Sequence, residues 1–204
     1  MKDSSTFILR RVHSLFGIIP VGFFLLQHLF VNSIAPQGPK AFNAAVGFMQ
    51  SMPNFYFFEI FYIALPILFH SLYGLWITVK MEPNLARYPH YRNFMYLMQR
   101  ITGVVIFAFV LFHVYTLPLQ KYLGGPEVSF EMLHDQLQNP IFLAIYAIGL
   151  VVSVFHFANG IGTFLIKWGI TVGPQSQKFG TILTWLLFLG ITAWGFGSLM
   201  AFYL

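Results

Sequence analysis

The sequence predicts an all-α integral membrane protein, a bundle of five transmembrane helices. Of its 204 residues, 57% are hydrophobic and only 8% are charged. Soluble domains carry about 25% charged residues, so this chain has too little polar surface to cover itself in water. The apolar residues fall into five runs, and each run reaches the length of about 20 residues that a helix needs to cross a bilayer.

Breaks rich in polar residues, proline and glycine separate these runs. The connecting segments 40–51 and 129–138 each carry an apolar helical face, which predicts short helices on the membrane surface, the second capped by Ser129. No domain boundary is visible, and we assign residues 1–204 to a single domain. The predicted spans cover residues 13–35, 55–79, 97–118, 140–166 and 180–203.

Basic residues predict the orientation of the bundle. If the N-terminus is cytoplasmic, nine of the eleven Lys and Arg residues flank the inner ends of the spans, and only Lys40 and Lys121 lie outside. Because the basic residues flank apolar runs and form no stripe, they indicate contact with membrane lipid and not with nucleic acid. We expect a multi-pass protein of the cell's inner (cytoplasmic) membrane.

Four histidines lie inside predicted spans, one in each of the first four. An ionisable side chain within the bilayer is costly and therefore indicates a function. Because consecutive spans run in opposite directions, His28 and His113 fall in the outer half of the membrane, and His70 and His156 fall in the inner half. With a rise of 1.5 Å per residue, the two layers are about 10 Å apart along the membrane normal.

Two layers of paired histidines predict two haem b groups, each ligated by two imidazoles. The chain has no cysteine, which excludes thiolate ligation, iron–sulfur ligation and covalent c-type attachment through this chain. Small residues near the histidines would let a flat macrocycle approach the backbone, although helix packing alone explains any one of them. These residues are Gly17, Gly74, Gly103 and Gly160.

Two polar residues near the cytoplasmic end are candidates to bind the propionates of the inner haem. Lys167 follows His156 by three turns, and Ser14 precedes His28 by four turns, each near the histidine's helical face. His13 lies beside Ser14 at the mouth of the first span, where it could contact a propionate or a quinone, or simply lie at the interface.

Motifs around the histidines and at the span ends are specific enough to compare with a known family. They are Arg10-Arg11-Val12-His13-Ser14-Leu15-Phe16-Gly17, Gln27-His28-Leu29, Phe69-His70, Gln99-Arg100-Ile101-Thr102-Gly103, Phe155-His156-Phe157 and Trp168-Gly169-Ile170-Thr171-Val172. Over nearly its whole length the chain resembles the cytochrome b subunit of succinate dehydrogenase, in the class with one polypeptide and two haems.

This resemblance implies a role for each histidine pair. His70 and His156 would ligate the haem proximal to an iron–sulfur subunit, and His28 and His113 the distal haem, with Lys167 and Ser14 near the proximal propionates. It also implies a flavoprotein subunit and an iron–sulfur subunit on the cytoplasmic side, and a quinone, menaquinone, as electron acceptor. The chain has no Rossmann-type glycine fingerprint, so we expect no succinate-oxidising site on it.

Glu59 is the one carboxylate well inside a predicted span, 11 residues and about 16 Å of rise before His70. This spacing places it on nearly the same helical face as His70, pointing into the bundle near the outer haem. Since quinone reduction takes up two protons, we expect Glu59 in or beside a quinone pocket, exchanging protons with the outer side. The alternative is a glutamate at the helix end that reaches water.

Four other functions remain open from the sequence. The same subunit could belong to a quinol:fumarate reductase, where the electron flow reverses. It could also be the haem b anchor of a hydrogenase or formate dehydrogenase. A transporter that binds an ion through its histidines is disfavoured because the spans lack carboxylate clusters and no discontinuous helix pair is evident. The last alternative is a haem-free assembly anchor.

Overall fold

The computed structural model describes residues 2–80 and 84–204, with side chains from residue 5 onward, and the described chain is built from helices. Five helical regions are long and apolar enough to cross a membrane, which confirms the all-α membrane bundle. We number them spans 1 to 5 in chain order: Ser5–Gln37, Phe55–Val79, Tyr91–Thr116, Pro140–Lys167 and Pro174–Tyr203.

Shorter helices make up two of the spans and fill the connections between them. The helices are α1 (Lys2–Ile18), α2 (Pro20–Asn32), α3 (Pro39–Gln50), α4 (Phe55–Phe58), α5 (Leu65–Val79), α6 (Tyr91–Thr116), α7 (Pro118–Tyr122), α8 (Phe130–Leu137), α9 (Pro140–Lys167) and α10 (Pro174–Tyr203). A 3₁₀ turn, Ala35–Gln37, ends span 1, and a π-helical segment, Glu59–Ala64, joins α4 to α5.

Three predicted spans begin too late in the sequence. The predictions started at residues 13, 97 and 180, whereas α1, α6 and α10 begin at Lys2, Tyr91 and Pro174. Hydropathy marks only the apolar part of a helix, and these helices continue with polar residues beyond that part. The predictions for the connecting helices agree with α3 and α8, and the Ser129 hydroxyl accepts the hydrogen bond from Met132 N that caps α8.

Two prolines interrupt the regular helical hydrogen bonding within spans. Pro20 has no N–H to donate to the Phe16 carbonyl, and the chain changes from α1 to α2 at Ile19. Pro66 likewise leaves the Tyr62 carbonyl without its usual donor, and the π-helical segment lies directly before it. The interruption in span 2 is therefore a local widening of the helix, the usual form of a π-helical turn.

Spans 1 to 4 form a ring in which each span packs against its sequence neighbours, and the ring closes through contacts between α1 and α9. Spans 1 and 3 therefore face each other across the ring, as do spans 2 and 4. Span 5 lies outside the ring, where α10 packs mainly against α9.

The two ends of the bundle differ in chemistry. The end that carries the start of α1, residues 84–90 and the loop after Lys167 is here called the basic side. At the other end, here called the cap side, α3 and α8 cover the bundle around the buried residues Phe42, Leu137 and Phe202. Asn43 joins these two helices, because its amide group donates to Glu131 Oε2 (2.9 Å) and its carbonyl accepts from Phe130 N (2.8 Å).

A small residue sets the distance between spans 3 and 4. A Cβ atom at Gly149 would lie 2.4–2.6 Å from three ring atoms of Phe109. The Phe109 ring in turn stacks on His113, with 5.7 Å between the ring centroids. The position of Gly149 in α9 therefore allows the close approach that holds Phe109 against this histidine.

We predict that Gly149→Ala destabilises the protein by about 1–3 kcal/mol, the usual cost of adding a methyl group to a packed contact. The measurement is thermal unfolding of the purified protein in detergent, followed by circular dichroism. Gly197→Ala is the control, because a Cβ there meets nothing within 4 Å. Equal melting temperatures for the two variants would contradict the close packing at Gly149.

Candidate functional site

The structure brings the four span histidines together in two pairs across the ring. The ring centroids of His28 and His113 are 5.7 Å apart, and those of His70 and His156 are 6.3 Å apart. Within each pair the ring planes are nearly perpendicular, at 78° and 89°. The structure thus pairs the same histidines that their predicted depths pair, His28 with His113 and His70 with His156.

These separations fit one metal ion between the two rings of each pair. An imidazole nitrogen lies about 2.0–2.1 Å from a metal that it ligates, so two rings on opposite faces of one ion have centroids about 6 Å apart. All four rings are half-buried, inside helices that cross the membrane. The geometry therefore suits a haem iron with two protein ligands.

A second histidine, His13, packs against His70, and the sequence did not predict this contact. The ring of His13 is parallel to that of His70, with centroids 4.2 Å apart. His70 Nδ1 lies 3.1 Å from the backbone oxygen of His13, and His13 Nε2 lies 3.1 Å from that of His70. A Nδ1–H that donates to this carbonyl leaves Nε2 of His70 free to bind a metal.

We call His70 and His156, the pair nearer the basic side, the inner pair, and His28 and His113 the outer pair. Glycines face the inner pair. A Cβ at Gly17 would lie 2.5 Å from His70 Cε1, and one at Gly103 would lie 3.2 Å from His156 Cε1. Gly74 and Gly160 face other side chains, namely His13 and Gln99. Their four-residue spacing gives the helical face, but the neighbour on that face depends on how the spans pack.

Aromatic side chains surround the outer pair. Phe24 stacks on His28, and Phe109 and Tyr146 lie against His113, with centroid separations of 5.6–5.7 Å. Nδ1 of His113 is buried and has no hydrogen-bond partner among the described residues. A buried polar nitrogen without a partner is costly, and it is compatible with a site that the protein chain alone does not complete.

Basic side chains gather at the basic side, below the inner pair. Arg10, Arg11 and Arg100 all act electrostatically on the Lys167 ammonium group, and Nε of Arg100 is buried without a partner among the described residues. Ser14 lies one turn after Arg10 in α1 and is half-buried. The acidic side chains that the structure describes lie on the cap side: Glu59, Glu127, Glu131 and Asp135. The basic cluster of Arg10, Arg11, Arg100 and Lys167 therefore suits an anionic group.

Glu59 lies at the rim of the bundle on the cap side. It is half-buried at the start of the π-helical segment, and the Tyr122 hydroxyl donates a hydrogen bond to its Oε2. The Lys121 ammonium group lies 5.7 Å from the Tyr122 ring centroid. Among the described contacts, none joins Glu59 to the outer histidines. A π-helical turn holds more residues than an α-helical one, which changes the helical face presented 11 residues before His70.

Two comparisons with known proteins bear on this arrangement. Residues 77–196 match the family model described as Succinate dehydrogenase/Fumarate reductase transmembrane subunit. The chain is also 41% identical to the succinate dehydrogenase cytochrome b558 subunit of Bacillus subtilis (strain 168), over 99% of this chain and 100% of that protein. This 204-residue chain therefore belongs to the family of succinate dehydrogenase/fumarate reductase transmembrane subunits.

Proposed function

We propose that this chain is the diheme cytochrome b anchor of a succinate dehydrogenase. It would carry electrons from an iron–sulfur subunit to a membrane quinone, menaquinone. The observation that carries the proposal is the presence of two histidine pairs, each joining opposite spans of the ring. The relative's name supports haem b as the cofactor, since that protein is a cytochrome b558 subunit.

His70 and His156 would hold the inner haem, and His28 and His113 the outer one. When bound, the two haems supply one-electron carriers between the iron–sulfur subunit and the quinone. The chain itself contributes the ligand nitrogens, the fixed spacing of the two layers and an apolar surrounding that excludes water. The ligand nitrogens and the apolar surrounding would tune the haem potentials, because axial ligands and burial are main determinants of a haem potential.

The basic cluster would bind the propionates of the inner haem. Lys167, Arg100 and Arg10 are close enough to repel one another electrostatically, and no described acidic side chain offsets their charge. Two carboxylates would relieve this repulsion and accept charge-assisted hydrogen bonds. Ser14 would supply a hydroxyl donor to the same group.

The basic side would face the cytoplasm and bind the partner subunits. A succinate dehydrogenase anchor implies a flavoprotein subunit and an iron–sulfur subunit. The positive-inside rule assigns the basic side to the cytoplasm of a cell whose inner membrane holds the complex. This orientation brings the iron–sulfur subunit nearest to the inner haem, which keeps the path for electrons short.

Quinone reduction would take place on the cap side, beside Glu59. The carboxylate of Glu59 accepts from Tyr122, and partial burial and this hydrogen bond raise the pKa of the Tyr122 hydroxyl. Tyr122 therefore stays protonated and remains a donor at neutral pH. A quinone that gains two electrons takes up two protons, and Glu59 would pass these protons from the outer side.

The direction of electron flow distinguishes the proposal from its closest alternative, a quinol:fumarate reductase. Both belong to the family that the chain matches. Haem potentials measured by redox titration, set against the potential of the host's quinone, decide between them.

We predict that the two haems are lost separately. His70→Ala or His156→Ala should remove the inner haem. His28→Ala or His113→Ala should remove the outer haem and leave the inner one. Separate losses are expected because the two pairs lie on different helices. The measurement is the reduced-minus-oxidised visible spectrum of each purified variant. The unsubstituted chain should show two b-type haems per polypeptide.

His90→Ala is the control for these variants, because His90 lies outside the spans, at the N-cap of α6. It should retain both haems. A flat difference spectrum of the unsubstituted chain would eliminate the diheme proposal. Loss of the inner haem from His28→Ala, with the outer one retained, would invert the assignment of the layers.

The docking face can be tested by cross-linking from single cysteines, since the chain has none of its own. We predict that Lys178→Cys, on the basic side, cross-links to the iron–sulfur subunit in the assembled complex. Lys40→Cys, on the cap side, is the matched control and should give no cross-link. The opposite pattern would place the partner subunits on the cap side.

We predict that Glu59→Gln slows succinate-to-quinone turnover, because it keeps the side-chain shape and removes the proton-exchanging group. Both haem spectra and succinate oxidation by an artificial acceptor should persist. Glu131→Gln is the control, an exposed acid on the same side of the bundle. If quinone turnover in Glu59→Gln matches the unsubstituted complex across pH, Glu59 has no part in the reaction.

A further inference from the structure

His156 is held by a side chain of the neighbouring span. Its Nδ1 lies 3.0 Å from Oγ1 of Thr102 in α6. The Thr102 hydroxyl already donates its proton within its own helix, to the Met98 carbonyl at 2.7 Å. The hydroxyl oxygen is therefore the acceptor toward His156, and Nδ1 of the histidine carries the proton. This tautomer leaves the lone pair on Nε2, the nitrogen available to a metal.

The backbone around His156 is fixed by a second residue of the same motif. Gln99 Nε2 donates to the His156 carbonyl at 3.1 Å, and Asn159 Nδ2 donates to Gln99 Oε1 at 2.6 Å. Asn159 Nδ2 also donates to the Met95 carbonyl at 3.1 Å. These bonds tie α6 to α9 at the level of the histidine. Gln99 thus holds the main chain, while Thr102 holds the ring.

Among the described contacts of the span histidines, the bond to Thr102 is one that a substitution removes cleanly. The Nδ1 of His70 is anchored on a backbone carbonyl, that of His13, which side-chain replacement does not delete. The Nδ1 of His113 has no partner among the described residues. Replacing Thr102 therefore changes the hydrogen bonding of His156 and leaves the described contacts of His70 and His113 as they are.

We propose that Thr102 is a positioning residue that sets the tautomer and the electron donation of His156, and through them the reduction potential of the inner haem. This inference rests on the proposed function, in which His156 ligates that haem. An acceptor on the far nitrogen makes a ligating imidazole more basic. A more basic ligand favours ferric over ferrous iron, so loss of the acceptor should raise the potential.

The size of the effect follows from the hydrogen bond that is lost. A neutral hydrogen bond contributes about 1 kcal/mol, which is about a fivefold change in an equilibrium constant. Because the bond is present in both oxidation states, only the difference in its strength between them shifts the potential. We therefore expect the ferric-to-ferrous equilibrium of the inner haem to move toward ferrous by up to about fivefold in Thr102→Val. At 59 mV for each tenfold change in a one-electron couple, this is a rise of up to about 40 mV.

The experiment is a potentiometric titration of both haems in the purified complex, monitored by visible absorption. Thr102→Val keeps the side-chain shape and removes the acceptor, and Thr102→Ala removes both the hydroxyl and the γ-methyl group. Thr102→Ser keeps a hydroxyl and should restore the unsubstituted potential. Thr181→Val is the control, because Thr181 makes the same bond to its own helix, to the Gln177 carbonyl, on a helix outside the ring.

A higher inner potential in the valine and alanine variants, with the outer potential unchanged, supports the inference. Selective loss of the inner haem in those variants, restored by serine, also supports it. An unchanged inner potential in variants that carry both haems overturns it, as does an equal shift in Thr181→Val. His156→Ala, measured alongside, separates the two proposals: retention of the inner haem there shows that the ligand assignment itself is wrong.

Discussion

The packing of this bundle depends on a single constraint, the need to satisfy polar nitrogens in hydrocarbon. Each imidazole has two nitrogens, and each unpaired polar group in a bilayer costs several kcal/mol. In each inner histidine, one ring nitrogen makes a hydrogen bond that avoids this cost. Nδ1 of His70 bonds to the His13 carbonyl, and Nδ1 of His156 bonds to the Thr102 hydroxyl. In the proposed function, a haem iron between opposite spans satisfies the remaining nitrogens.

The ring arrangement of the spans suits the proposed haem sites. Two imidazoles on opposite faces of one haem iron need helices on either side of a gap, and the paired residues are on spans 1 and 3 and on spans 2 and 4. Neighbouring spans close the ring through small residues, as at Gly149 against Phe109. Span 5 carries no histidine and lies outside the ring against α9, where it adds packing without contributing a ligand.

Features that depend on one helix at a time were predictable from the sequence. Hydropathy located the spans, and helical rise placed His28 and His113 in one layer and His70 and His156 in the other. Contacts between helices were not predictable, because a spacing gives a face but not the neighbour opposite it. The stacking of His13 on His70 is one example. Gly17, one turn after His13, was the signal in the sequence, since it leaves room on that face for the His70 ring.

The π-helical segment before Pro66 has a consequence for how span 2 can vary. A wider turn accommodates one residue more than an α-helical turn does, so it acts as an insertion absorbed within a span of unchanged length. The part of span 2 on the cap side of this segment is therefore rotated about the helix axis relative to His70. In evolutionary terms, the cap-side end of span 2 can present a new face to its surroundings while His70 keeps its position in the ring.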